Sequence, residues 1–446
     1  MTCTTHTASS RKASAVFVSL VVVITACGSD KKSSTNATAG TTAASTPAPT
    51  AVVDTTTAAS ASTPATTSAG PSGGALVVGT DLPLQGDESK DTNLAIALLV
   101  EQQGGKAGQF DVTIKEYDSS TGEQCEANGN DHVANAAEVA VVGTFFSSCS
   151  KIEVPVLNAD PTGPMLMISH ANTNDGLTKP SEAGEPDKYY PTGIRNYARI
   201  IGTNDQQGKA DAEFAAKELA VTKCVVLNDG EAYGVSIGQT FENAATAVGI
   251  TVVASEAWDR DKGDYIALLE GFKSLDPDCF FLAGEADGTD EHLIRDKVSV
   301  FGPNSGAVKL LAPDGFIGYE SVQQLPEAEG MYISSTGLSL PELVKLGGAA
   351  GDFVNAFQTK YGHEPSSAFA LYGAAAMQFL LQAIAASDGT RKGIVEAAFS
   401  GIVIPESESL TGREFGIDAN GDVTASDISI QILTNGVETF FRGWPV

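Results

Sequence analysis

The chain is poor in several features that mark other classes of protein. Basic residues are scarce: 27 Lys and Arg stand against 55 Asp and Glu, for a formal net charge of −28 at pH 7. Only Asp30 and Asp54 of those acids precede residue 75. Such an excess repels phosphate backbones and anionic lipid surfaces, which excludes nucleic acid as a partner. The five histidines, His6, His132, His170, His292 and His363, are scattered, and no two cysteines form a C-x-x-C pair. The sequence therefore offers no zinc-like spacing, and neither a metal nor a cofactor is expected. Long apolar runs are missing too, since a membrane-spanning helix needs about 20 such residues. The nearest is residues 13–26, which follow Arg11 and Lys12 and are broken by small polar residues. A basic start and a short apolar stretch read as an export signal.

That stretch ends in Ile24-Thr25-Ala26-Cys27. An aliphatic residue, two small ones and a cysteine resemble the lipobox at which bacterial lipoprotein precursors are cut and the cysteine is diacylated. Residues 1–26 are thus expected to be a lipoprotein signal peptide and Cys27 the lipidated residue. Two acyl chains suffice for stable anchoring. Residues 28–74 are nearly all Ser, Thr, Ala, Pro and Gly, a composition that cannot bury enough apolar surface to offset chain entropy. With Cys27 they form a tether whose reach as a flexible coil is roughly 35–40 Å.

Residues 75–446 are too many for one ordinary core and suit two lobes. Short apolar runs at 76–80, 110–117, 139–146 and 165–169 alternate with helical patterns at 93–103 and 123–135 and a short helix from Ser150. The pattern then restarts, with helices at 206–219, 236–248 and 265–274 and strands at 224–228, 251–255, 279–283 and 309–312. A further strand at 330–334 leads toward the first lobe. Helical spacing from Phe353 to Tyr361 stops at Gly362, a long apolar helix spans 366–386, and the chain ends in strands. Alternating strands and helices predict α/β lobes with parallel sheets covered on both faces. With Cys3 leaving in the signal and Cys27 lipidated, Cys125, Cys149, Cys224 and Cys279 remain, an even number that suggests two disulfides in an exported protein.

Several segments, in their order and spacing, resemble the type I periplasmic solute-binding proteins, in particular the leucine/isoleucine/valine-binding group of branched-chain amino acid ABC transporters. They are Leu82-Pro83-Leu84-Gln85-Gly86, the Cys125 and Cys149 pair, 165–169 followed by Ala171-Asn172-Thr173-Asn174, Tyr233-Gly234, and Pro313-Asp314-Gly315. The likeness runs from Leu76 to about Val437. It implies two doubly wound lobes, 75–196 with 337–412 and 197–336 with 413–446, joined by crossovers near Asn196, Thr336 and Thr411. It also implies a Cys125–Cys149 disulfide, and it places the strands that begin at Cys224 and Cys279 side by side, where those two could bridge. No enzymatic activity is implied. The protein would act as a monomer that captures an amino acid or related small polar solute and delivers it to an ABC permease at the outer face of the cell membrane.

In open α/β sheets ligands sit beyond the carboxyl ends of the strands, so a cleft between two lobes brings two such edges together. There, Ser150 with Glu153 has the spacing of a capping box, and a helix start offers N–H groups to a carboxylate. The resemblance assigns the ligand's carboxylate to Ser150 and its carboxylate and amino groups to Asn172 and Thr173, although the latter pair could simply form a turn. It assigns the ammonium to Asp314 and an aromatic cover to Tyr233; Glu285 and Asp287 are alternative ammonium partners. The family's longer aromatic loop is replaced by Asp87-Glu88-Ser89-Lys90-Asp91-Thr92, which argues against an aliphatic side-chain preference. Competing readings are a lipid-anchored receptor for a sensor, a surface scaffold and, more remotely, a serine hydrolase using Ser236 in Gly234-Val235-Ser236-Ile237-Gly238. A nucleophile elbow needs its serine on the turn directly ending a strand, and Ser236 lies well beyond Asn228. Asp418, Asn420 and Asp422 have part of a calcium loop's spacing but lack its bidentate glutamate, Ser429 standing there.

Overall fold

Runs of β-branched and apolar residues that read as buried strands are strands in the computed structural model, and glycines end the helices where the spacing predicts. The structure describes residues 73–286 and 290–444. Cys27, nearly all of the tether and Asp287 lie outside the described residues. None of the described helices is long and apolar enough to cross a membrane.

The first sheet holds β1 (Ala75–Leu82), β2 (Lys106–Ala107), β3 (Phe110–Asp118), β4 (Glu138–Gly143), β5 (Leu166–Ser169) and β6 (Tyr197–Arg199) in the order β2-β3-β1-β4-β5-β6. All pairings are parallel except the β2–β3 edge. Helices α1 (Asp87–Gln102), α2 (Gly122–Ala134) and α3 (Ser147–Asn158) connect its strands. The second sheet holds β7 (Lys223–Asn228), β8 (Thr251–Ala257), β9 (Cys279–Ala283), β10 (Lys309–Ala312) and β11 (Tyr332–Thr336). Helices α4 (Asn204–Lys217), α5 (Ala232–Val248), α6 (Ile266–Phe272), α7 (Asp290–Phe301) and α8 (Glu320–Gln323) lie among them.

After β11 the chain returns to the first core through α9 (Leu340–Leu346), α10 (Gly348–Tyr361), α11 (Phe369–Ala385), α12 (Arg391–Ala398) and the small pair β12 (Val403–Ile404) and β13 (Phe415–Gly416). Helix α11 is buried on almost every side, as a helix apolar all round must be. Gly362 adopts φ +87° and closes α10, the left-handed cap that glycine takes without a Cβ penalty. Strands β14 (Ile428–Thr434) and β15 (Val437–Trp444) then join the second sheet antiparallel, giving β15-β14-β11-β10-β9-β7-β8. The chain passes between the two sheets after β6, after β11 and between Ile417, in the first core, and Ile428. Strand 332–336, expected to lead out, is a full member of the second sheet.

Two helix starts differ from the sequence-based expectation. Helix α1 begins at Asp87 rather than Asn93, so the charged segment 87–92 is helical; Asp87 and Glu88 sit in its first turn, where the helix dipole favours anions. Helix α3 begins at Ser147, with Phe146 as a cap that contributes no side-chain bond. Ser150 is therefore inside the helix, and the Ser150–Glu153 capping box does not form. Both disulfides are present, Cys125–Cys149 with a Cα separation of 5.3 Å and Cys224–Cys279 with 4.4 Å; Cys224 and Cys279 are register partners on β7 and β9.

Candidate ligand-binding cleft

The two sheets share one winding. In the first, β1 lies between β3 and β4; in the second, β7 lies between β8 and β9. Such a strand marks a topological switch point, where connections leave to opposite faces and open a crevice at the carboxyl edge. The loops after all four strands flanking these points line a single cavity of about 850 Å³: Pro83–Gly86 after β1, Phe145 and Phe146 after β4, Glu231 after β7, and Glu285 and Ala286 after β9.

The first-lobe wall is made of helix beginnings and hydroxyls. Helices α1, α2 and α3 start at Asp87, Gly122 and Ser147, all beside the cavity, and Ser119, Ser120, Thr121 and Ser148 line it. Asp118 fixes this wall, accepting from the Leu84 and Ser120 amides at 3.1 Å each and from Gln124 Nε2 at 3.0 Å. Free amides at helix starts suit an anionic ligand group.

The second-lobe wall is acidic. Tyr233, in the first turn of α5, lines the cavity and donates its hydroxyl proton to Asp314 Oδ1, while the Tyr233 hydroxyl oxygen accepts from the Gly315 amide at 3.2 Å. Asp314 Oδ2 accepts from Thr336 Oγ1 at 2.9 Å. Burial raises the Asp314 pKa against the pull of these bonds. Glu285 is pushed well above the usual carboxylate range, chiefly by burial and then by the nearby Asp229 charge. Asp229 is itself raised to about 6 by burial, although it accepts from the amides of Glu231 at 2.9 Å and Glu285 at 3.1 Å. Across the cleft, Glu88 is buried with a pKa raised to about 8 by desolvation, its Oε1 accepting from Ser367 Oγ at 2.6 Å. Arg260, 3.7 Å from Glu231, is the basic residue among the described lining residues, which also include Asp87, Glu88, Glu285 and Glu320.

Tyr233 and Glu285 thus reach the cavity, and Asp314 stands directly behind Tyr233. Ser150 and Asn172 are fully buried behind the first-lobe wall and bonded to each other, Oγ to Oδ1 at 2.5 Å. Ser150 also meets Thr144 Oγ1 at 2.9 Å, and Asn172 Nδ2 donates to the Thr144 and Phe145 carbonyls at 2.9 and 2.7 Å. Thr173 is buried beside them, its carbonyl accepting from the Asn204 amide at 2.8 Å. Their bonds hold the ends of β4 and β5. Sequence reasoning missed Ser148, Glu88, Glu231 and Arg260 as lining residues; Ser148 is the second residue of α3, and correct placement of that helix start would have found it. Ser236 lies within α5, beyond its first turn, and the Asp418 carboxylate is taken by the Asn420 and Asp422 amides at 2.8 and 2.9 Å.

A family model described as periplasmic binding protein matches residues 95–424. The chain belongs to that family. Among curated relatives, it is 26% identical over 199 residues to the Leu/Ile/Val-binding protein BraC3 of Rhizobium johnstonii, covering 45% of this chain and 50% of the relative. Leu/Ile/Val-binding protein homolog 7 of Brucella suis is 24% identical, covering 76% of this chain and 82% of its own. The chain spans about half the length of three of the curated relatives it matches. Among solved structures, the leucine-binding protein LivK of Thermotoga maritima superposes with a TM-score of 0.70 at 21% identity, covering 83% of this chain and 98% of that one. A solute-binding protein of R. palustris in complex with benzoate gives 0.67 at 20% identity, over 83% and 96%. These likenesses fix the fold: two α/β lobes around a cleft.

Proposed function

We propose that the protein is the extracytoplasmic, lipid-anchored receptor of an ABC importer, capturing an amino acid or a related solute that carries an ammonium group. The observation that carries this reading is the cavity at which both switch points meet, with helix N-termini, hydroxyls and the α1 carboxylates Asp87 and Glu88 on the first-lobe wall and Glu231, Glu285 and Glu320 on the second. The two sides match the two charges of a zwitterion. The ligand's carboxylate meets the start of α3 and Ser148, its ammonium meets Glu285 and the Tyr233–Asp314 pair, and Ser150, Asn172 and Thr173 hold the first wall in place. Charge-assisted hydrogen bonds are worth about 1.5–3 kcal/mol each, so three or four reach the roughly −8 kcal/mol of a micromolar complex without any catalytic step. A ligand that touches both walls favours the closed arrangement of the lobes, which a membrane permease then distinguishes from the open one. Anchoring through Cys27 keeps the receptor within reach of that permease.

Some neighbours in fold were solved with benzoates. A purely anionic ligand fits this cleft poorly, because five carboxylate side chains line it and Arg260 already faces Glu231. A thermal-shift screen of the purified full chain against amino acids, amines and organic acids tests the reading, since a ligand that binds only the native state raises the melting temperature. A hit among ammonium-bearing compounds, lost in Glu285→Gln, is expected. A folded protein that responds to nothing in the panel, or to organic anions alone, contradicts it and favours a sensor or scaffold role.

A further inference from the structure

Beneath the first-lobe wall lies a second cluster of ionisable groups that the cleft does not use. Asp81 from β1, His132 from α2 and Glu153 from α3 are each fully buried, and one ligand-type atom from each lies within 4.8 Å of the others. The imidazole is held by carboxylates at both nitrogens. Nδ1 bonds to Glu138 Oε1, whose other oxygen accepts from the Tyr117 hydroxyl at 2.6 Å and Asn135 Nδ2 at 3.0 Å. Nε2 points the other way, 3.0 Å from Asp81 Oδ2 and 3.9 Å from Glu153 Oε2. Asp81 is oriented in turn by Asn128 Nδ2, 3.2 Å from its Oδ1. Glu153 differs from the rest: it is wholly buried, and no donor reaches either of its oxygens.

We propose that Asp81, His132 and Glu153 form a binding site for a divalent transition-metal cation of the zinc or manganese class. Three observations combine. One imidazole nitrogen and two carboxylates are a common donor set for such ions, and ligand bonds of about 2.0–2.2 Å place tetrahedral donors about 3.3–3.6 Å apart, between the two spacings seen around Nε2. A carboxylate on the far nitrogen is the usual support of a metal-bound histidine, fixing its tautomer and ring plane; Glu138 occupies that position. The unpartnered Glu153 supplies a reason for the cation. Three carboxylates around one imidazole leave net negative charge in a site without water access, and buried charge requires a compensating partner. Of the cluster's carboxylates, Arg391 interacts electrostatically with Glu138 only, and none of its hydrogen bonds reaches the Asp81, His132 or Glu153 side chains: its nitrogens go to the backbone carbonyls of His132, Val133, Asn135 and Glu138 and to Asp160.

The backbone is shaped for the cluster. A Cβ on Gly79 would overlap the Glu138 carboxylate and come within 2.9 Å of His132 Cε1. On binding, the metal takes the place of the proton on Nε2, so at least one proton is released per ion. The ion would tie β1, α2 and α3 together immediately behind the Cys125–Cys149 disulfide. This inference is independent of the ligand assigned to the cleft.

The test uses the full chain, stripped with chelator, loaded with Zn²⁺ or Mn²⁺, passed through a desalting column and assayed by elemental analysis. One equivalent retained per chain, with a higher melting temperature than the stripped form, is expected. Glu153→Gln and Asp81→Asn should each lower the affinity at least tenfold. X-ray absorption of the zinc-loaded wild type gives a second reading should those variants fail to fold, with one imidazole nitrogen in the shell expected. Retention of no stoichiometric metal, equal retention by folded variants, or a shell of oxygen alone would overturn the proposal.

Discussion

The Tyr233–Asp314 pair shows how one side chain serves both the cleft and the fold. The tyrosine hydroxyl is buried, donates to a carboxylate and accepts from the Gly315 amide. Tyr233→Phe leaves both partners short of a bond inside the protein, which typically costs about 1–3 kcal/mol. Urea unfolding of the ligand-free protein should show a loss of that size, with an unchanged slope. Glu88 gives a pH signature. Its folded pKa, about 8, lies above the usual 4.5 because burial disfavours the charge. A carboxyl raised in the folded state contributes stability that is complete below its unfolded pKa and is lost as pH rises through the folded one. The melting temperature should therefore fall between pH 4.5 and 8 more steeply in the wild type than in Glu88→Gln. Equal slopes would remove Glu88 as the cause. The same linkage makes an ammonium ligand release a proton from Glu88 at neutral pH, a release that calorimetry in buffers of different ionisation enthalpy detects.

Among the elements, those with strong local signals were legible in the sequence. Strands β9 and β10 start and stop where their apolar runs do, and α10 ends at Gly362. Weakly patterned ones were not: β2, β12 and β13 have two residues each and no readable period. The candidate site divided along the same line. Tyr233 and Glu285 follow β7 and β9, whose ends were plain, and they line the cleft. Ser150 was assigned by the resemblance and supported by a capping-box spacing, and the earlier start of α3 removes that support. The buried cluster around His132 was invisible, because Asp81 and His132 are 51 residues apart and only the packing of β1 against α2 joins them. The disulfides act at this scale also. Cys125–Cys149 spans 24 residues and Cys224–Cys279 spans 55, closures worth on the order of 3 and 4 kcal/mol through the unfolded chain. Paired Cys→Ser replacements should lower stability in that order, the second more than the first, as denaturant midpoints would reveal.

Across the whole molecule, the two lobes meet on an apolar floor as well as across the cavity. Leu82, Phe145 and Phe369 of the first lobe pack with Phe316 and Ile317 of the second, and Asn174 Nδ2 donates to the Ala232 carbonyl at 2.9 Å. Apolar contacts between the lobes thus adjoin the polar cavity. Net charge of −28 keeps such a molecule dispersed and draws cationic groups toward it.

The central claim is that the second-lobe wall receives an ammonium group, and isothermal titration of the full chain tests it most directly. An amino acid, its decarboxylated amine and its deaminated acid would be compared on wild type and on Glu285→Gln. One site per chain is expected, with binding that survives loss of the carboxylate better than loss of the amine and at least tenfold weakening in the variant. Tight binding of the deaminated acid, unchanged by Glu285→Gln, would contradict it.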